Sequence, residues 1–126
     1  MPGTPLPATV RDHIVPVITE AAASAGRPSP RVVCILPVCV TDDPDNARER
    51  AARVFAIYGQ LPSYRAMLDR EGAAGPADVA IVGHEDTVAA QIATLAEAGV
   101  TDFVAGEYTG GPDGARTRAF LRTLLN

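Results

Sequence analysis

Lysine is absent from this sequence, and all eleven of its basic side chains are arginines. Without a lysine amine the chain can form no Schiff base, and it cannot build the lysine-dependent phosphate loop of P-loop proteins. Acidic residues outnumber the arginines and are interspersed with them, which gives a net charge of −4. Because no basic stripe forms, the composition argues against a nucleic-acid partner.

Cysteine is also scarce, since Cys34 and Cys39 are the only two and lie in one apolar run. On a strand, residues five apart face opposite sides of the sheet, so these two thiols are not expected to pair. Two cysteines and two histidines, without a CxxC motif, do not predict a structural zinc site. We interpret both cysteines as small buried hydrophobes, and no metal ligand is assigned.

Long hydrophobic stretches are missing as well, since none reaches the roughly 18 residues of a membrane span. The segment Met1–Pro7 lacks the charged and apolar regions of a signal peptide. We therefore expect a cytoplasmic protein without a membrane partner. Three prolines within residues 1–8 predict a flexible lead-in, and residues 9–126 are expected to form a single domain.

Apolar patterning predicts an α/β domain with two buried strands. The nearly continuous apolar run Arg31–Val40 is typical of a parallel strand covered on both faces, and Val100–Ala105 is the second strand. Helical spacing follows Thr9, where Pro16 predicts a kink or a late start of the helix. The short run Val79–Val82 fits either a strand or a helix. The predicted order is α-β-α-α-α-β-α, which leaves an open sheet.

Five motifs stand in a characteristic order and spacing. They are Ala25–Pro28 (AGRP), Leu36–Asp43 (LPVCVTDD), Tyr58–Gly72 (YGQLPSYRAMLDREG), Ala77–Gly83 (ADVAIVG) and Ala98–Phe103 (AGVTDF). Together they resemble the C-terminal part of the luciferase-like monooxygenase superfamily. Within that superfamily they are most similar to the branch that uses the deazaflavin coenzyme F420. The resemblance extends from about Thr9 to Leu125.

The resemblance implies a segment of a (β/α)₈ barrel. A complete barrel typically needs about 250 residues and at least roughly 200, whereas this chain has 126. It is therefore expected to supply the last two parallel strands with their surrounding helices, and not a closed barrel. The implied reaction is hydride transfer or monooxygenation, with F420 or flavin mononucleotide as cofactor. The family's cofactor-binding residues come mainly from earlier strands, so this chain alone is expected to bind none and to be inactive.

Candidate site residues lie where the second strand ends, because barrel active sites form at the carboxyl ends of the strands. Glu107 and Tyr108 are the candidates for a substrate-pocket wall; the alternative is a solvated loop carboxylate and a packing tyrosine. No catalytic or cofactor-binding residue is assigned. Asp42 and Asp43, after the first strand, fit helix caps better than catalytic acids.

Two further groups admit a functional and a structural interpretation. Tyr58, Gln60, Tyr64 and Arg65 could shape a substrate side or a subunit contact, or the tyrosines could pack a corner between helices. The segment His84–Asp86 precedes a predicted helix, whose N-terminus attracts anions. Its own acids favour a cap over a phosphate site.

Two hypotheses from different classes follow. The chain is either a truncated or split luciferase-like oxidoreductase, or a non-enzymatic α/β module that associates with itself. In the first case its partner is a complementing N-terminal barrel chain or another copy, and in the second it is a homo-oligomer. Half a barrel exposes an apolar sheet face and strand edges, which is the physical reason to expect association.

Overall fold

Three parallel strands form an open sheet in the order β2-β1-β3, with β1 at Val33–Val40, β2 at Ile81–Gly83 and β3 at Asp102–Glu107. The computed structural model describes residues 9–73 and 75–125, so the lead-in predicted for residues 1–8 lies outside the described residues. The α/β class and the open, partial-barrel architecture are confirmed. The expectation of about two strands is corrected to three, because the ambiguous apolar run supplies β2.

Five α-helices surround the sheet in the described part of the chain. They are α1 at Val15–Ser24, α2 at Pro44–Val54, α3 at Pro62–Glu71, α4 at Glu85–Ala98 and α5 at Gly111–Thr123. A π-helix at Val10–Ile14 precedes α1, and 3₁₀ helices occupy Ala56–Gln60 and Pro76–Val79. None of the described helices is both long enough and apolar enough to cross a bilayer.

Local chemistry explains where several helices begin and end. Pro16 lies in the first turn of α1, so the regular helix starts late, as its position predicts. The Asp43 carboxylate accepts the Asn46 N–H at 3.2 Å and caps α2. Gly99 ends α4 at φ 116°, and a Cβ there would lie 2.7 Å from Val15 Cγ2, so only glycine fits between α4 and α1.

Strand β1 is central, and its two neighbours pair with different parts of it. Strand β3 follows β1 from the pair Val33–Asp102 to the pair Val38–Glu107. Strand β2 pairs only with the last three residues of β1, up to the pair Val40–Gly83. The 3₁₀ helix ends at Val79, and the chain then extends beside the carboxyl end of β1. Strand β2 is therefore only three residues long and begins directly after this 3₁₀ helix.

The two sheet faces are covered unequally. One face presents Cys34, Leu36, Val38 and Val40 to a main core, where apolar side chains from the helices pack. Cys39 lies on the other face in a smaller cluster with alanines from α2. Both cysteines are buried, free and on opposite faces, as predicted. Burial raises the pKa of the Cys34 thiol to about 11, so it stays protonated at neutral pH.

The second face is open over its N-terminal half. Val33 is 60% exposed, and Ile35 is 66% exposed beside Val104 at 45%. Ile35 and Val104 are register partners and therefore neighbours on one side of the sheet. Apolar strand residues are normally buried, so this part of the sheet is a surface that another layer can cover.

Candidate functional site

The carboxyl ends of the three strands meet at one edge of the sheet, which is where barrel enzymes place their sites. Thr41 and Asp42 follow β1, His84 follows β2, and Glu107 ends β3 with Tyr108 next to it. The Thr41 N–H donates to the Gly83 carbonyl at 2.9 Å, which holds the ends of β1 and β2 together. The end of β3 lies on the other side of β1, so β1 separates it from β2.

Glu107 points to the helix-covered face of the sheet. It is the register partner of the fully buried Val38, and it accepts from Arg118 Nη1 of α5 at 3.2 Å. Its side chain keeps 37% exposure. The geometry therefore gives Glu107 a half-exposed ion pair with the last helix, on the side away from the open face.

Tyr108 lies on the opposite face, beside Cys39 and α2. Its hydroxyl donates to the Ala47 carbonyl at 2.8 Å, and its ring meets Phe55 edge-on with centroids 5.7 Å apart. Burial raises the pKa of this phenol well above its ordinary value, so it stays protonated throughout the neutral range. The structure thus separates the two candidate pocket residues instead of bringing them together.

An aromatic cluster continues from Tyr108 along the open face. Phe55 lies 5.9 Å from Tyr58, and Tyr58 lies 5.9 Å from Tyr64, measured between ring centroids. With Ile35 and Gly106, among others, these rings line a cleft of about 240 Å³, which we call the aromatic cleft. The cleft offers mutually tilted aromatic rings and an apolar surface to a ligand, but few polar groups.

The motif Tyr58–Arg65 is divided by the fold. Its two tyrosines line the aromatic cleft, whereas Arg65 turns to its own helix and the turn after it. Arg65 donates to the Asp69 carboxylate at 3.0 Å and to the Ala73 carbonyl at 2.8 Å. Gln60 ends the 3₁₀ helix and is exposed. The two tyrosines of the motif thus form a wall of the cleft, whereas its arginine stabilises α3 and the turn that follows it.

Arg116 of α5 ties together the ends of β1 and β2. Its guanidinium group donates two hydrogen bonds to the Glu85 carboxylate, at 2.9 and 2.8 Å, and one to the Asp42 carboxylate at 2.9 Å. These bonds lower the pKa of Glu85 to about 2 and also lower the pKa of Asp42. Both carboxylates are therefore ionised at neutral pH and cannot serve as general acids. His84 Nε2 lies 3.1 Å from the Asp42 carboxylate. The His84 side chain does not cap α4, whose first turn carries the acidic residues Glu85 and Asp86.

Sequence reasoning assigned no role to four polar residues at this edge, which are Thr41, Asp113, Arg116 and Thr117. The Thr41 hydroxyl donates to the Asp113 carboxylate at 3.0 Å and accepts the Asp43 N–H at 3.0 Å. The Thr117 hydroxyl accepts the Val40 N–H at 2.9 Å. A polar residue directly after an apolar strand signals the role of Thr41. Nothing local signals Thr117, because its partner is 77 residues away.

These features define a parallel α/β unit of partial-barrel type, with one face covered by helices and the other covered by α2 only around Cys39 and otherwise open beside an apolar cleft. The family model of luciferase-like monooxygenases matches residues 3–102, and the chain belongs to that family. Its members are oxidoreductases and monooxygenases that generally depend on flavin-type cofactors. No curated protein matches the chain.

The residues of the open face do not fit a whole flavin. Sites for small molecules typically enclose about 300–1,000 Å³, whereas the aromatic cleft holds about 240 Å³ and is open to one side. Among the described residues its lining gives no cation for a phosphate, because it consists of three aromatic residues with Ile35, Leu36, Pro37 and Gly106. The described residues thus supply one wall of a ring site and not its phosphate-binding part.

Proposed function

We propose that this chain is the C-terminal part of the barrel of a luciferase-like oxidoreductase that uses the deazaflavin F420, with flavin mononucleotide as the alternative cofactor. The observation behind the proposal is the unequal covering of the sheet. Helices cover the face of Leu36 and Val38, whereas on the other face α2 covers only the part around Cys39 and leaves Ile35 and Val104 exposed. In a (β/α)₈ barrel the helices form the outer ring and the opposite strand faces fill the interior. We therefore assign the exposed part of the second face, around Ile35 and Val104, to the barrel interior.

In that arrangement the aromatic cleft, which lies over the middle of β1 at Ile35–Pro37 and over Gly106 of β3, forms part of the wall of the active site. Tyr58 and Tyr64 present apolar rings, and Tyr108 supports them from behind through Phe55. Of the two sequence candidates we retain Tyr108, which lies behind the cleft and packs against Phe55 of its lining. Glu107 instead joins α5 to the sheet through Arg118. The reaction would be the hydride transfer or monooxygenation of the family.

The rest of the site would come from earlier strands of the barrel. Those strands would be provided by a complementing N-terminal barrel chain or by another copy, and residues 9–126 would act as one unit. The isolated chain would then be inactive, because one apolar wall without a phosphate site holds a flavin weakly. An upstream reading frame that encodes the earlier strands would support a split or truncated enzyme.

The test is a titration of the purified chain with F420 and with flavin mononucleotide, each oxidised and reduced, while sedimentation records its mass. The expected result is no saturable binding by a monomer, and binding once a chain with the earlier strands is added. The variant Tyr64→Ala should weaken the restored binding, whereas Arg53→Gln, an exposed change on α2, should not. Saturable binding by the monomeric chain would contradict the inactive-alone part of the proposal.

The second candidate is a non-enzymatic module that associates with itself through the open face. Its support is the exposure of Val33, Ile35 and Val104. A charge placed there should prevent association, because burying an unpaired carboxylate is costly. We expect Val33→Glu to reduce the sedimenting mass to that of a monomer. The matched control is Val17→Glu, since this α1 valine is also exposed, at 54%. A wild-type chain that stays monomeric at high concentration would exclude this candidate.

A further inference from the structure

A groove runs between α4, β3 and α5 on the helix-covered side of the molecule. It encloses about 440 Å³, which falls within the roughly 300–1,000 Å³ of small-molecule sites. Ile92 of α4, Phe103 and Ala105 of β3 and Leu121 of α5 contribute to its apolar lining. A depression of this size and character is large enough for a compact organic molecule.

The groove is separate from the aromatic cleft. Phe103 and Ala105 are the register partners of Cys34 and Leu36, which belong to the covered face. Val104, between them, points to the open face. The sheet itself therefore divides the groove from the cleft, and a ligand in one does not touch the other.

Two arginines of α5 stand in the lining of the groove. Arg118 and Arg122 are four residues apart on one helix, so their Cβ atoms lie about 5–6 Å apart. Arg118 has a single ion pair, to Glu107 at 3.2 Å, and its side chain is 57% exposed. Within residues 9–73 and 75–125 the structure gives Arg122 no ion-pair partner. Two guanidinium groups at this spacing can hold one carboxylate by charge-assisted hydrogen bonds.

We propose that this groove binds a small aromatic carboxylate, with its ring against Phe103 and its carboxylate between Arg118 and Arg122. An aromatic body gains from the ring of Phe103. A rigid body also loses less conformational entropy on binding than a flexible chain. A second copy of the protein fits less well, because a two-fold contact centred on the groove would bring four arginines together. The ligand's charge, in contrast, complements the groove.

The experiment is a calorimetric titration of the purified chain with 2-naphthoate and with 2-naphthamide, its neutral counterpart. We expect 2-naphthoate to bind about tenfold more tightly, because charge-assisted hydrogen bonds to its carboxylate contribute more to the affinity than the neutral hydrogen bonds of the amide. Arg118→Gln and Arg122→Gln should each remove most of this difference and leave 2-naphthamide binding unchanged. Arg53→Gln on α2 is the matched control, and it should change neither affinity. Ala105→Leu should fill the groove and weaken both probes.

Equal affinities for the two probes would overturn the proposal, and so would unchanged 2-naphthoate binding in both arginine variants. Sedimentation at the same concentrations gives a further criterion. If binding disappears as the mass rises to a dimer, and Ala105→Leu restores the monomer, the groove is an interface between copies and the proposal is wrong. Thermal unfolding of each variant verifies that it is folded. None of these outcomes depends on a flavin cofactor, so they leave the proposed function untouched.

Discussion

The hydroxyl of Thr117 offers the sharpest test of the structure, because it completes the hydrogen bonding of β1. Strand β3 stops pairing with β1 at Glu107, opposite Val38. The next β1 amide that points to the β3 side, that of Val40, therefore finds no carbonyl acceptor on a strand. Thr117 Oγ1 accepts this N–H at 2.9 Å and donates to the Asp113 carbonyl at 2.7 Å. Thr117 is 1% exposed and Val40 is fully buried. The substitution Thr117→Val keeps the shape and removes the acceptor.

The expected cost follows from burial. A buried donor left without a partner costs about 1–3 kcal/mol, and water cannot replace the hydroxyl at Val40. The added methyl group offsets about 0.8 kcal/mol. The free energy of unfolding should therefore fall by about 0.2–2 kcal/mol. For a domain of this size that lowers the unfolding midpoint by roughly 1–8 °C.

The assay combines urea unfolding with amide hydrogen exchange, at one fixed protein concentration. The Val40 amide should exchange faster in Thr117→Val than in the wild type. The control is the same substitution at Thr94, whose exposed hydroxyl donates only to the Ala90 carbonyl of its own helix. Thr94→Val should stay within about 0.5 kcal/mol of the wild type. An unchanged unfolding midpoint and an equally protected Val40 amide in Thr117→Val would refute the reasoning.

Three further substitutions test other contacts. Arg116→Gln should make the free energy of unfolding less dependent on pH between about 4.5 and 2, which unfolding at several pH values measures. In the wild type the pKa of Glu85 is depressed from 4.5 to about 2 in the folded state, so its ionised carboxylate stabilises the fold above this window and loses that effect as the pH falls through it. Gly99→Ala should lower the free energy of unfolding by about 1–3 kcal/mol through strain, whereas Gly110→Ala, in open space, should not; equal losses in urea would contradict this. Tyr108→Phe should cost about 1 kcal/mol in the same assay by removing a buried hydrogen bond; an unchanged midpoint would argue against that bond.

The strands and helix starts could be predicted because their signals are local. The apolar run Arg31–Val40 predicts β1, found at Val33–Val40, and the second predicted strand, Val100–Ala105, is found two residues later at Asp102–Glu107. Strand β2 could not be settled from sequence, because a three-residue strand depends on its neighbour and not on its own pattern. The sequence alone could not show that β1 lies between β2 and β3.

The candidate site was less predictable, because its contacts join distant parts of the chain. Sequence position places Glu107 and Tyr108 side by side, but alternation along the strand sends them to opposite faces. The bonds of Arg116 to Asp42 and Glu85 span 74 and 31 residues, and no local pattern reveals them. Where a side chain acts within its own turn, as Asp43 does, the prediction of a cap is confirmed.

The central position of β1 has a consequence for the order of events during synthesis. Its pairing residues in β2 lie 43 positions later, as for Val38 and Ile81, and those in β3 lie 69 positions later, as for Val38 and Glu107. Strand β1, the most apolar strand of the sheet, therefore leaves the ribosome before β2 and β3 have been synthesised. Non-local pairing of this kind slows folding, and unpaired apolar strands promote aggregation. We expect nascent chains that end before α4 to depend on chaperones, and release from them to follow the emergence of β3.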